Sequence, residues 1–94
     1  MEFSFEWDAR KAAANQRKHG VAFEEAIPVF GDPLARIFDD PEHSEVEARE
    51  LIVGHAARQR LLIVSFVQRG DRVRIFSSRR ATRQERRDYE EGTS

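Results

Sequence analysis

Three short pairs in this 94-residue chain carry side chains that can hold a phosphate or move a proton. Arg79 and Arg80 are the first, because a guanidinium is planar, stays charged and gives paired hydrogen bonds to phosphate oxygens. Glu47 and Arg49 stand two apart, the spacing that puts both on one strand face. There they form either a general base beside a phosphate clamp or a plain surface ion pair worth ~0 to 1 kcal/mol. Lys18 and His19 offer an acid and a base, and equally suit the last turn of a helix, where cations complement the dipole.

The charge around these pairs is sorted along the chain. Residues 58 to 87 hold ten Arg against Asp71 and Glu85, a balance of +8 in a protein of net charge -1. Residues 24 to 50 hold nine acids against Arg36 and Arg49. Folding alone gains nothing from such segregation, so it implies one surface for a polyanion and another that repels or mimics one. Arg72, Arg74 and Arg83 are candidates for contacts to a nucleic-acid backbone. Trp7 can stack a base, although an aromatic on an alternating strand more often belongs to the core.

Other chemistries lack their residues. There is no Gly-rich phosphate loop, no paired catalytic carboxylates at helical spacing and no Ser-His-Asp signature. His19, His43 and His55 are not at ligand spacing and there is no Cys, so neither a metal site nor a cofactor is expected. What remains is nucleic-acid binding, or metal-free phosphodiester cleavage by Arg, Lys and His. No apolar run approaches the ~18 residues of a membrane span. The N-terminus has no basic start with an apolar stretch behind it, so no secretory signal is expected. The absence of Cys fits a reducing cytoplasm. The length predicts one domain, residues 1–94, with a single modest core.

The elements that must position these residues follow from periodicity. Residues 2 to 7 alternate, with Phe3, Phe5 and Trp7 on one face, as in a half-buried strand. Asp8 is an N-cap for a helix over Ala9 to Lys18, closed by His19 and Gly20. Phe23, Ala26, Ile27 and Phe30 have the spacing of a short amphipathic helix, in which Pro28 predicts a kink or a tightened last turn. A short strand over 34–38 precedes an acidic loop, and three more strands are expected over 48–55, 60–68 and 72–77. The apolar run LLIVSFV marks the middle one as central, which predicts burial of Leu62, Val64, Phe66, Val73 and Ile75. Arg69, Gly70 and Asp71 supply a hairpin turn. Thr82 and Glu85 form a capping box that starts a helix at Arg83, ending near Gly92. That helix has no apolar stripe beyond Tyr89 and its charges oppose the dipole. It must be held by a partner or serve to present its arginines.

The chain resembles the BrnT toxin family in FEWDARKAAANQRKHGVAFEEA at residues 5 to 26, in Phe30 to Ala35 with its DPLA, in ELIVGHA at 50 to 56, and in DRVRIFSSRRATRQERRDYEEG at 71 to 92. The blocks fall in order over nearly the whole chain. Two positions depart from the pattern: Ala22 stands where a capping Ser is usual, and Pro28 interrupts a helix usually free of proline.

The resemblance implies a RelE-like α+β fold, a small antiparallel sheet with two N-terminal helices packed on it and a short C-terminal helix. It also implies a cytoplasmic ribonuclease that blocks translation. Its expected partners are RNA and a ribbon-helix-helix antitoxin of the BrnA kind, through which the complex, a dimer or heterotetramer, binds operator DNA. The alternative is a nucleic-acid-binding or protein-binding module without catalysis. RNA carries its own nucleophile, the 2′-OH. Cleavage then needs a base, cations on the phosphorane and a proton for the leaving 5′-oxygen. On this reading Arg79, Arg80 and Arg49 hold the phosphate, while Lys18, His19 and Glu47 are the acid and base candidates.

Overall fold

The apolar run at Leu61 to Val67 decides the architecture, because a strand buried on both faces must lie in the middle of a sheet. In the computed structural model, which describes residues 3–40, 42 and 48–92, every residue from Leu61 to Val67 is buried. The strands are β1 (Ser4–Glu6), β2 (Arg36–Asp39), β3 (Glu50–His55), β4 (Leu61–Arg69) and β5 (Arg72–Arg80), ordered β1-β5-β4-β3-β2. Four of them pair antiparallel, as expected, whereas β1 runs parallel to β5 from Ser4 opposite Arg72 to Glu6 opposite Arg74. The sheet is therefore mixed and the fold is α+β.

One face of the sheet carries the main core. Leu62, Val64, Phe66, Val73 and Ile75 are all buried there, against Val21, Phe23, Ala26 and Val29 from the N-terminal segment. Helix α1 (Ala9–His19) begins at Asp8, whose Oδ1 accepts the amides of Arg10 and Lys11 at 2.8 and 3.0 Å. It ends at Gly20, whose φ of 70° is the left-handed value that glycine adopts without strain. The segment Phe23–Gly31 is a 3-10 helix along its whole length, not a helix with one tightened turn. Pro28 accounts for this physically: it has no amide to donate, and in an α-helix its ring would press on the Glu24 carbonyl. Ala22 has no side-chain oxygen, so only half a capping box forms, with Glu25 Oε2 accepting the Ala22 amide at 2.8 Å.

Asn15 fastens α1 to the sheet. Strand β1 covers β5 only from Arg72 to Arg74, which leaves the later part of that ladder edge open. The Asn15 amide fills the gap, accepting from the Ser78 amide at 3.1 Å while its Nδ2 donates to the Ser78 carbonyl at 2.7 Å and to the Val21 carbonyl at 3.0 Å. A buried side chain thus stands in for a missing strand.

The other face is only partly covered. Val53, Leu61, Ile63 and Tyr89 form a second apolar cluster beneath helix α2 (Arg83–Gly92). The expected capping box is present, with Thr82 N to Glu85 Oε1 at 2.8 Å and Glu85 N to Thr82 Oγ1 at 3.1 Å. The helix that looked too weak to dock is held by its own chain. Tyr89 is buried and donates its hydroxyl to the Leu34 carbonyl at 2.8 Å, and the Arg36 guanidinium donates to the Gly92 carbonyl.

Candidate active site

A bulge in β5 aims the functional face. Ser65 of β4 stands opposite Ser77, but the next residue, Phe66, stands opposite Ile75, so Phe76 is an extra residue in the ladder. Such an insertion inverts the alternation beyond it. Arg72 and Arg74 lie on the half-covered face before the bulge; Ser77 and Arg79 take that face after it, and Ser78 turns into the core, fully buried. Plain alternation from Val73 would have put Arg80 on the functional face in place of Arg79.

Phe76 and Ser77 line a cleft of about 490 Å³, within the range of small-ligand sites. Leu51, Ile63 and Ser65 form its floor, and Lys11, Arg49 and Arg79 bring cations from α1, from the segment leading into β3 and from β5. Asp40 and Glu42 bring carboxylates. Phe76 organises two of the cations: the Arg49 guanidinium carbon lies 3.7 Å from its ring centroid and Lys11 Nζ lies 5.4 Å away. A guanidinium stacked on an aromatic is held flat without spending its hydrogen bonds. Arg79 is held differently, by paired hydrogen bonds to Glu85 at 2.7 and 2.9 Å. Those bonds keep the Glu85 carboxyl well below its ordinary value, at about 2, aided by the Thr82 amide, and raise Arg79. Asp40 is buried and takes the Glu42 amide on Oδ1 at 3.1 Å and the Ser65 hydroxyl on Oδ2 at 3.4 Å.

The residues expected from sequence divide. Arg49 and Arg79 meet in the cleft. Arg80, next along β5, borders a separate hollow with Arg58 and Arg86. Lys18 and His19 sit at the far end of α1, and Lys18 is about 10 Å along the axis from Lys11 at 1.5 Å per residue; neither lines the cleft. Glu47 lies outside the described residues. Trp7 packs edge-on against Phe23, with ring centroids 5.8 Å apart, beside the core. Arg72 and Arg74 flank the hairpin end, where Arg74 pairs with Glu6 at 3.0 Å. Arg83 is exposed on the first turn of α2.

Sequence reasoning passed over Lys11, Phe76, Asp40 and Glu42. Lys11 reads as one more cation on a basic helix, and Phe76 as a member of an alternating strand. Nothing local marks the bulge that turns Phe76 toward Arg49.

A small mixed sheet with a cation-lined cleft on its open face fits a class of compact α+β proteins that act on phosphodiesters. The family model described as "Ribonuclease toxin, BrnT, of type II toxin-antitoxin system" matches residues 7–85, and the chain belongs to that family. The fold is similar to that of the Brucella abortus ribonuclease toxin BrnT, seen in a 1.1 Å crystal structure. The TM-score is 0.69 at 24% sequence identity, over 86% of this chain and 99% of the other. A search of curated proteins finds no match.

Proposed function

We propose that this chain cleaves RNA in the cleft formed by Lys11, Arg49, Phe76 and Arg79, without a metal ion. The observation that carries the reading is the convergence of Lys11, Arg49 and Arg79, from distant parts of the chain, on one hollow that also holds carboxylates. In the proposed reaction the 2′-oxygen attacks phosphorus and the bond from phosphorus to the 5′-oxygen breaks. The products are a 2′,3′-cyclic phosphate and a free 5′-hydroxyl. Arg49 and Arg79 take the charge that builds on the phosphorane oxygens, where preorganised donors act most strongly. A cleft carboxylate, Asp40 or Glu42, accepts the 2′-OH proton, and Lys11 supplies a proton to the leaving oxygen. Lys11 thereby takes the role that sequence gave to Lys18 and His19.

The biological reading we infer is a toxin acting in the cytoplasm, neutralised by a ribbon-helix-helix antitoxin through which the pair binds operator DNA; membership of a type II toxin family supports it. Incubating the purified protein with RNA and a chelator tests the chemistry. The expected result is fragments ending in cyclic phosphate, and none from a strand with 2′-deoxy sugars. Salt-sensitive binding of RNA with no fragments would instead favour a non-catalytic binding module.

A further inference from the structure

Four of the arginines that the cleft does not use, Arg58, Arg60, Arg80 and Arg86, gather at one place. The connection between β3 and β4 passes over Arg58 and Gln59, with φ of 62° and 59°. Two successive non-glycine residues in the left-handed region are uncommon, and such conformations persist where a surrounding structure or a function maintains them. Arg58 and Gln59 border a hollow of about 350 Å³, and Arg60, Arg80 and Arg86 complete its polar rim. Arg60 is paired with Glu25 at 3.3 Å. The guanidinium groups of Arg58, Arg80 and Arg86 make no hydrogen bond or ion pair with another described residue. Glu85, close by in sequence, is committed to Arg79 and the Thr82 amide.

We propose that Arg58, Arg80 and Arg86 form a second phosphate-binding site, outside the cleft, that holds the RNA backbone beyond the point of cleavage. The proposal rests on the reading that RNA is the ligand. Like charges set around one hollow repel each other, and an anion in the middle relieves that repulsion. Guanidinium forks match phosphate oxygens. The apolar residues at the hollow, Leu61 and Ala81, are buried or partly so, which leaves little of the exposed apolar anchorage that a docking peptide would bury.

The position is also suited to a continuous strand. Arg79 and Arg80 are neighbours in β5 and serve the cleft and the hollow respectively. The Ala81 amide bonds to the Leu61 carbonyl at 2.9 Å, which carries the β4–β5 pairing past Arg80 and holds the start of β4 beside the segment leading into α2. A ribose-phosphate chain leaving the cleft past Arg79 rounds the end of β5 and meets the hollow.

The test is equilibrium binding of a single-stranded RNA dodecamer with 2′-O-methyl sugars, which cannot be cleaved, over a series of salt concentrations. The double variant Arg58→Asn, Arg86→Gln removes two charges while keeping a residue at 58 that tolerates the left-handed backbone. The slope of log K against log salt should fall by about 1.4, at ~0.7 per lost phosphate contact on a single strand, with weaker binding at low salt. An unchanged slope and affinity in a variant with native circular dichroism would overturn the proposal. So would loss of antitoxin binding with RNA binding intact, which would make the hollow a protein contact. If the wild type cleaves no RNA yet the slope still falls, the phosphate site stands and the ribonuclease reading fails.

Discussion

Arg79 and Glu85 face each other as two parallel forks, Nη1 to Oε1 at 2.7 Å and Nη2 to Oε2 at 2.9 Å, while the same Oε1 accepts the Thr82 amide at 2.8 Å. One carboxylate therefore starts helix α2 and aims a cleft cation. Both functions rest on that one side chain.

Replacing Glu85 should expose this coupling. Glu85→Ala removes the carboxylate half of the capping box and the second fork, while the Thr82 hydroxyl can still cap the residue-85 amide, and cleavage should fall on the order of 10-fold or more, the scale for loss of an orienting partner. Helix stability should fall by about 1 kcal/mol with the lost Thr82 amide hydrogen bond. Glu85→Gln keeps an oxygen for the Thr82 amide and should recover most of the helix signal but only part of the rate. Single-turnover cleavage and circular dichroism on the two variants separate the effects. Equal activity in Glu85→Ala and wild type would show that Arg79 needs no such guide.

Acid should unpick the same pair. The folded Glu85 carboxyl lies at about 2, lowered first by the Arg79 hydrogen bonds, against an unfolded value near ~4.3. A depressed carboxyl stabilises the fold above the unfolded value and loses that contribution as pH falls through the folded one, here between ~4.3 and ~2. The Glu85 side chain is 35% exposed, so solvent screening limits the effect to about 1 kcal/mol. Asp32 is also lowered, first by the His55 backbone amide at 2.7 Å, and loses its contribution in the same direction. Urea unfolding at stepped pH should show a steeper acid loss in wild type than in Glu85→Gln. Parallel curves would contradict the linkage.

Asn15 and Ser78 make a contrasting pair inside the fold. Asn15→Ala would take the Asn15 partner from the Ser78 amide, the Ser78 carbonyl and the Val21 carbonyl, and the two Ser78 groups alone should cost ~2 to 6 kcal/mol at 1 to 3 per orphaned group. Asn15→Asp should be no better, because a carboxylate cannot donate to the Ser78 and Val21 carbonyls. The Ser78 hydroxyl, by contrast, is buried with no hydrogen-bond partner among the described residues. Ser78→Ala should be neutral or stabilising by up to about 1 kcal/mol. Denaturant midpoints of the three variants check the order, and a large loss in Ser78→Ala would reveal a partner for that hydroxyl.

The frame of this fold was legible because burial and turn chemistry are local signals. LLIVSFV could only be a central strand, Gly70 and Asp71 could only be a tight turn, and Thr82 with Glu85 announced a helix start. The parallel pairing of β1 was not legible, since the alternation of Phe5 and Trp7 fixes which face is buried but not the strand direction. The docking of α2 was hidden for a related reason. It depends on Tyr89 meeting the Leu34 carbonyl and on Arg36 meeting the helix end, contacts between residues more than fifty positions apart. Residue type pointed to Arg49 and Arg79, which the fold brings into one cleft. Lys11 and Phe76 were missed because their place in the cleft arises only when the bulge turns a ring toward two cations.

The bulge sets the final and most exposed prediction. Because Phe76 is an extra residue in β5, Arg79 enters the cleft and Arg80 leaves it. Arg79→Ala and Arg49→Ala should each lower single-turnover cleavage by ~10² to 10³, the scale for removing one transition-state donor. Arg80→Ala should give a smaller loss that fades as salt rises, as expected of a backbone contact. Phe76→Leu keeps an apolar side chain but removes the face on which Arg49 lies, and should cost about 0.5 to 1 kcal/mol of positioning, a few-fold in rate. Arg49→Lys should not rescue Arg49→Ala fully, because an ammonium neither stacks flat nor presents a fork. Rates measured on one RNA at two salt concentrations, with circular dichroism to confirm folding, distinguish these variants. If Arg80→Ala proved as damaging as Arg79→Ala at both salts, the chemistry would lie at the end of β5 and not in the cleft beneath Phe76.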